Sequence, residues 1–244
     1  MRYAYRKKIS RQKKPFIILF SMVSLVLGTA TLLWYFYPII TFQLSQLFVF
    51  TQQVSPLPKS VLASSLQKGL MVYDESNKPY YSSYLKDFTK VGNWFPKKTQ
   101  LLSHKSKVDQ FKLSVSKLGV SGAIVKVGAE DLTKSLVQFG DAVLPGGIGN
   151  IPILGHSTLP QLYKSKDYKS IFTYLPTLER GDRIKLSMNG FEYEYVVYDM
   201  FVVDPSETWV LEAKAEEPIV TLISCVPPGT FWKRLVVKAR FVGI

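Results

Sequence analysis

The chain has 244 residues, of which 47% are hydrophobic, 14% aromatic and 20% charged. That mix excludes a disordered or fibrous chain and fits one domain of ordinary size with accessory segments. A formal net charge of +13 ordinarily suggests a nucleic acid or a membrane surface, but seven of those charges fall within the first fifteen residues. The remaining +6 is spread over 229 residues, so no nucleic-acid partner is expected.

Residues 1–15 carry Arg2, Arg6, Lys7, Lys8, Arg11, Lys13 and Lys14 and no acid. They read as a basic cytoplasmic tail. Residues 16–37 contain no charge. As a helix they would span roughly 33 Å, enough for a hydrocarbon core of about 30 Å. With basic residues before it and Trp34, Tyr35 and Tyr37 at its far end, this segment reads as a single-pass anchor that leaves the rest of the chain outside the membrane. Gly28-Thr29-Ala30 could serve a cleaved signal peptide, but the apolar run continues to Ile40 and is longer than a usual signal core.

Residues 38–107 form a juxtamembrane extension. Ile40, Leu44, Leu47 and Phe48 can share one helical face before Pro56 and Pro58 end it, and 73–98 has no clear period. From residue 108 the pattern is β. Phe111, Leu113 and Val115 alternate with polar residues, and Ile124, Val125 and Val127 follow a glycine turn. Residues 131–139 and 164–175 read as two short helices, the first ended by Gly140. Two alternating runs flank Asn189-Gly190, a strong hairpin signal. Residues 220–224 and 234–242 read as two more strands, joined through Pro227-Pro228-Gly229. Many short strands with short turns predict a closed barrel or a sandwich over 108–244.

Few residues can carry chemistry. Cys225 is the lone cysteine, which excludes an intramolecular disulfide and a multi-cysteine zinc site. It falls where an apolar strand meets a Pro/Gly loop. A lone cysteine is often a small buried hydrophobe, but a strand end beside a loop is where a nucleophile would reach a groove. His156 follows another apolar run and a glycine, and Arg234 opens the last strand nine residues after Cys225. A nearby guanidinium favours thiolate and can donate to an oxyanion. His104 lies in a polar stretch and is given no role. The order His, Cys, Arg does not fit papain-like enzymes, whose cysteine comes first, and the caspase Gln-Ala-Cys signature is missing.

Thr221-Leu222-Ile223-Ser224-Cys225 resembles the Thr-Leu-x-Thr-Cys motif of the sortases. Gly155-His156 resembles their histidine motif, and Lys233-Arg234-Leu235 the surroundings of their arginine. Leu144-Pro145-Gly146-Gly147-Ile148-Gly149-Asn150 and the stretch 172–182 match as well, so the resemblance covers about 108–244. Ser224 stands where the family usually has threonine. The resemblance implies a mainly β fold, a closed sortase-type barrel of about eight strands with one or two short helices, behind an N-terminal transmembrane helix. It implies His156, Cys225 and Arg234 as catalytic residues and Ser224 as a substrate contact. It further implies a cysteine transpeptidase that cuts a Leu-Pro-x-Thr-Gly sorting signal on exported proteins. The acyl group would pass to an amine of an envelope precursor or of another protein. A peptidase using water, or an inactive assembly scaffold, are the competing readings on the same fold. No cofactor is expected. Some sortases bind calcium beside the loop corresponding to 204–218, where Asp204, Glu207, Glu212, Glu216 and Glu217 face one Lys214, and carboxylates suit that ion. A solvated acidic loop shaping the substrate groove is the preferred reading. No lid motif is evident in 38–107.

Overall fold

The computed structural model describes residues 13–49, 87–95, 108–140, 143–213 and 215–244. His104, Lys214 and most of the extension over 38–107 lie outside the described residues. Helix α1 spans Lys13–Val49 and contains Pro38. Within it, Phe16–Phe42 is long and apolar enough to cross a membrane. The helix therefore runs past the expected end at Tyr37, and Thr41 Oγ1 donates to Tyr37 O at 2.9 Å beside the proline.

Eight strands close a barrel: β1 (Gln110–Val115), β2 (Val120–Val127), β3 (Leu136–Gln138), β4 (Gly149–Leu154), β5 (Arg183–Met188), β6 (Phe191–Val203), β7 (Pro218–Val226) and β8 (Lys233–Gly243). Around the wall their order is β1-β2-β3-β4-β7-β8-β6-β5. Closure leaves no edge to pair with another chain. β5 and β6 form the expected hairpin, with Asn189 at φ 52° and Gly190 at φ 85°, the two left-handed residues of a primed turn. Alternate residues of every strand, among them Leu113, Val125, Ile153, Leu186, Tyr195, Leu222 and Val237, meet in one interior core.

The two short helices expected at 131–139 and 164–175 are not α-helices. Asp131 Oδ1 accepts from the backbone N–H (2.8 Å) and hydroxyl of Thr133, a side-chain turn that competes with a helix start. The chain then enters β3, parallel to β2 and antiparallel to β4. Over 164–175 the backbone bonds run i to i+3 instead of i to i+4, with Asp167 N donating to Lys164 O, Ser170 N to Asp167 O and Thr173 N to Ser170 O. Ile171, Phe172 and Leu175 still reach the core, which is why their spacing looked helical.

Candidate active site

β7 lies between β4 and β8, parallel to one and antiparallel to the other, and is buried on both faces. Such a strand reads as an unbroken apolar run instead of an alternating one. Val220 and Leu222 point into the barrel, whereas Ile223 and Cys225 belong to a second apolar cluster on the outer face. Cys225 and Arg234 are direct cross-strand partners, a relation that puts Cβ atoms about 4.5–5.5 Å apart. The Pro227-Pro228-Gly229 loop returns the chain to make this pairing.

His156 arrives from β4. Gly155 precedes it because no side chain fits there: an added Cβ would lie 2.5 Å from both Leu136 and Phe172. The turn is bonded to the cysteine strand by Gly155 N donating to Ile223 O. Ser224, expected to contact substrate, is fully buried, and its hydroxyl donates to Gly155 O at 2.8 Å. That bond ties the histidine turn to the cysteine strand.

The site is closed in this structure. Val91, Trp94 and Phe95, from the juxtamembrane extension, pack in the same cluster as Cys225, leaving the thiol 2% exposed and Arg234 1% exposed. The Trp94 ring lies 5.5 Å from the His156 ring and 5.2 Å from the Arg234 guanidinium, with Phe95 at 5.8 Å from the latter. Arg234 Nη2 donates to Trp94 O at 3.0 Å, and Nη1 to Phe231 O and Lys233 O, both at 3.1 Å. Phe88 stacks on Phe231 at 4.2 Å, so this strap (residues 87–95) is pinned at both ends of the site. On the other side, Asn150 Nδ2 donates to Val210 O and Glu212 O and holds the loop before β7 against β4, while Thr221 Oγ1 donates to Asn150 Oδ1 at 2.6 Å.

Burial sets the protonation states. It pushes the Cys225 thiol up to about 11 although Arg234 pulls the other way. It lowers His156 to about 4, against the attraction of Asp131 and Asp87. Burial also lowers Arg234 from its ordinary value. The closed site thus holds a neutral thiol and a neutral imidazole, and the imidazole Nε2 makes no hydrogen bond. A thiol in this state is a poor nucleophile.

The tertiary structure therefore gathers His156, Cys225 and Arg234 from three separate segments, and adds Trp94 and Ser157, which the sequence reading did not single out. The clustered Trp94-Phe95 before Pro96 was a visible apolar signal, but nothing local tied it to a cysteine 130 residues away. Arg240 shares the parity of Arg234 but is exposed against the Tyr198 ring, far from the thiol.

Residues 113–242 match the family model of the sortase domain. The chain belongs to the sortase family. It is 25% identical over 134 residues to Sortase D of Bacillus subtilis (strain 168), covering 53% of this chain and 62% of that one. It is 34% identical over 97 residues to Sortase A of Bacillus anthracis, covering 40% and 42%. The chain thus spans less than two thirds of either sortase. A solved Clostridium perfringens Sortase D5 transpeptidase is 27% identical, with a TM-score of 0.48 over 61% of this chain and 88% of its own. Among the described residues, no group of three or more His, Cys, Asp or Glu side chains is placed to hold a metal ion.

Proposed function

We propose that this sortase-family chain is a membrane-anchored cysteine transpeptidase acting on exported proteins that carry a Leu-Pro-x-Thr-Gly-type sorting signal. The observation that carries the reading is the direct pairing of Cys225 with Arg234 at the strand end to which the His156 turn is bonded. In the first half-reaction Cys225 passes its proton to His156, and the sulfur attacks the threonine carbonyl carbon. Arg234 donates to the oxyanion in place of its bond to Trp94 O. The C–N bond to glycine breaks as His156 returns the proton to the leaving amine, giving a Cys225 thioester. In the second, an amine attacks the thioester, His156 takes its proton, and the thiol is released with that proton as the new amide forms. No metal takes part in this scheme. The strap over 87–95 must leave before substrate enters, and exposure then returns thiol and imidazole toward ordinary ionisation.

The basic tail and apolar helix support an N-terminus in the cytoplasm, with the barrel outside the cell. The acceptor is an amine of an envelope precursor or of another exported protein. Incubating the full chain in nanodiscs with sorting peptides and candidate amines, with products read by mass spectrometry, tests the reading. Amide products that disappear in Cys225→Ala are expected. Hydrolysed peptide alone in the presence of amine would make the chain a peptidase, and no turnover with any peptide would leave a scaffold.

A further inference from the structure

β4 and β7 stay in register as far as the Leu154–Ile223 pair. Beyond it the β4 chain turns away through Gly155, His156 and Ser157, while β7 runs on through Cys225. Side-chain hydroxyls continue the association that the backbone ladder gives up. Ser224 Oγ donates to Gly155 O before the histidine, and Ser157 Oγ donates to Cys225 O at 2.7 Å after it. The turn has other anchors of its own: Phe172 N donates to His156 O at 2.9 Å, and Thr158 N to Thr173 Oγ1 at 3.0 Å. The Ser157 bond therefore is not needed merely to keep the loop in place. It is the bond that joins the residue following the imidazole to the residue bearing the thiol.

We propose that Ser157 is a positioning residue for acyl transfer, fixing the Cys225 backbone against the His156 turn and so setting the separation of thiol and imidazole. This rests on the function proposed above. Proton exchange between the two groups needs hydrogen-bond reach, and misplacement by about 1 Å can cost on the order of 10²-fold. On the near side of the histidine, Gly155 is already held to β7 by its own N–H to Ile223 O and by Ser224 Oγ to its carbonyl. Losing the hydroxyl thus removes the direct bond between the residue after the imidazole and the residue bearing the thiol.

The test uses the full chain in nanodiscs, with single-turnover acylation by a Leu-Pro-x-Thr-Gly peptide followed by mass spectrometry. In parallel, the pH dependence of Cys225 modification by a small methylthiosulfonate is measured. Ser157→Ala and Ser157→Val should slow acylation by about tenfold and leave KM within about twofold. They should also move the thiol pH profile by about half a unit. Ser157→Thr should restore both; Val and Thr differ only in the hydroxyl, so this comparison holds even if Ala folds poorly. An unmoved thiol profile in Ala and Val, with only the unfolding temperature lowered, would overturn the proposal. If the parent cuts no peptide, the transpeptidase reading fails and with it the role in acyl transfer; a thiol profile that still responds to Ser157 then shows only that its bond sets the surroundings of the thiol.

Discussion

The two apolar clusters of this barrel share four strands but differ in kind. The interior core takes side chains from every strand, and its aliphatic and aromatic members carry no group the proposed chemistry uses. The outer cluster takes Val137, Leu154, Ile223, Cys225 and Val236 from four strands, then borrows Val91, Trp94 and Phe95 from a segment outside the barrel. Beneath that borrowed cover lie a thiol, an imidazole and a guanidinium. The difference separates scaffold from device: the interior holds the strands in register, and the outer face places reactive groups under a cover drawn from outside the wall.

The largest effect should come from the interior. Leu222→Ala removes a fully buried side chain from the core and should cost about 2–5 kcal/mol of unfolding free energy, read by denaturant titration. Where the barrel still folds, Cys225 labelling should keep the parent rate. Faster labelling would mean that the two clusters are one cooperative unit.

Next is the outer pair of arginines. Arg234→Ala should lower transfer by at least about 10²-fold with circular dichroism unchanged. Arg234→Lys should recover only part of the loss, since it keeps the charge without the fork. Arg240→Ala, six residues along the same strand and exposed, should stay within a few fold of the parent. Equal losses at both positions would put the wrong arginine in the site.

Smaller again is the cover itself. Trp94→Ala removes the ring between His156 and Arg234 and should speed labelling of the native thiol about 30-fold, from lost packing and cation–π attraction. The unfolding temperature of the barrel should move little. An unchanged labelling rate would show that the strap does not gate the thiol.

pH should act on the same closure, in a direction fixed by the two shifts. When covered, Cys225 keeps its proton to about 11 against an ordinary 9.0, so the closed form binds more protons between those values and closure weakens as pH rises through them. Covered His156 stays neutral down to about 4 against an ordinary 6.5, so closure also weakens as pH falls through that window. Hydrogen-exchange protection of 91–95, corrected for intrinsic rates, should be greatest between about pH 6.5 and 9 and fall severalfold per unit on either side. A flat profile would mean that the strap stays shut whatever the charge beneath it.

The barrel was legible wherever one face of a strand met the core and the other met water, as in β1 and the β5–β6 hairpin with its Asn189-Gly190 turn. β7 was legible for the opposite reason, since burial on both faces left an unbroken apolar run ending at Cys225. Residues 131–139 were misread because Leu132, Leu136 and Phe139 repeat at helical spacing, although Leu136 faces the interior and the other two face outward. Only the Asp131–Thr133 turn and the pairing partners on either side decide between helix and strand, and partners are not encoded locally. The small number of reactive residues narrowed the candidates, but His156, Cys225 and Arg234 were assigned through the resemblance of their surrounding motifs to the sortases. What the sequence by itself determined was most of the strands, β3 excepted, and the short roster of groups able to react. The cover over the thiol, the inward turn of Ser224 and the bond from Ser157 to Cys225 were decided only by tertiary structure. Each depends on segments dozens of residues apart meeting in space, and no periodicity records such a meeting.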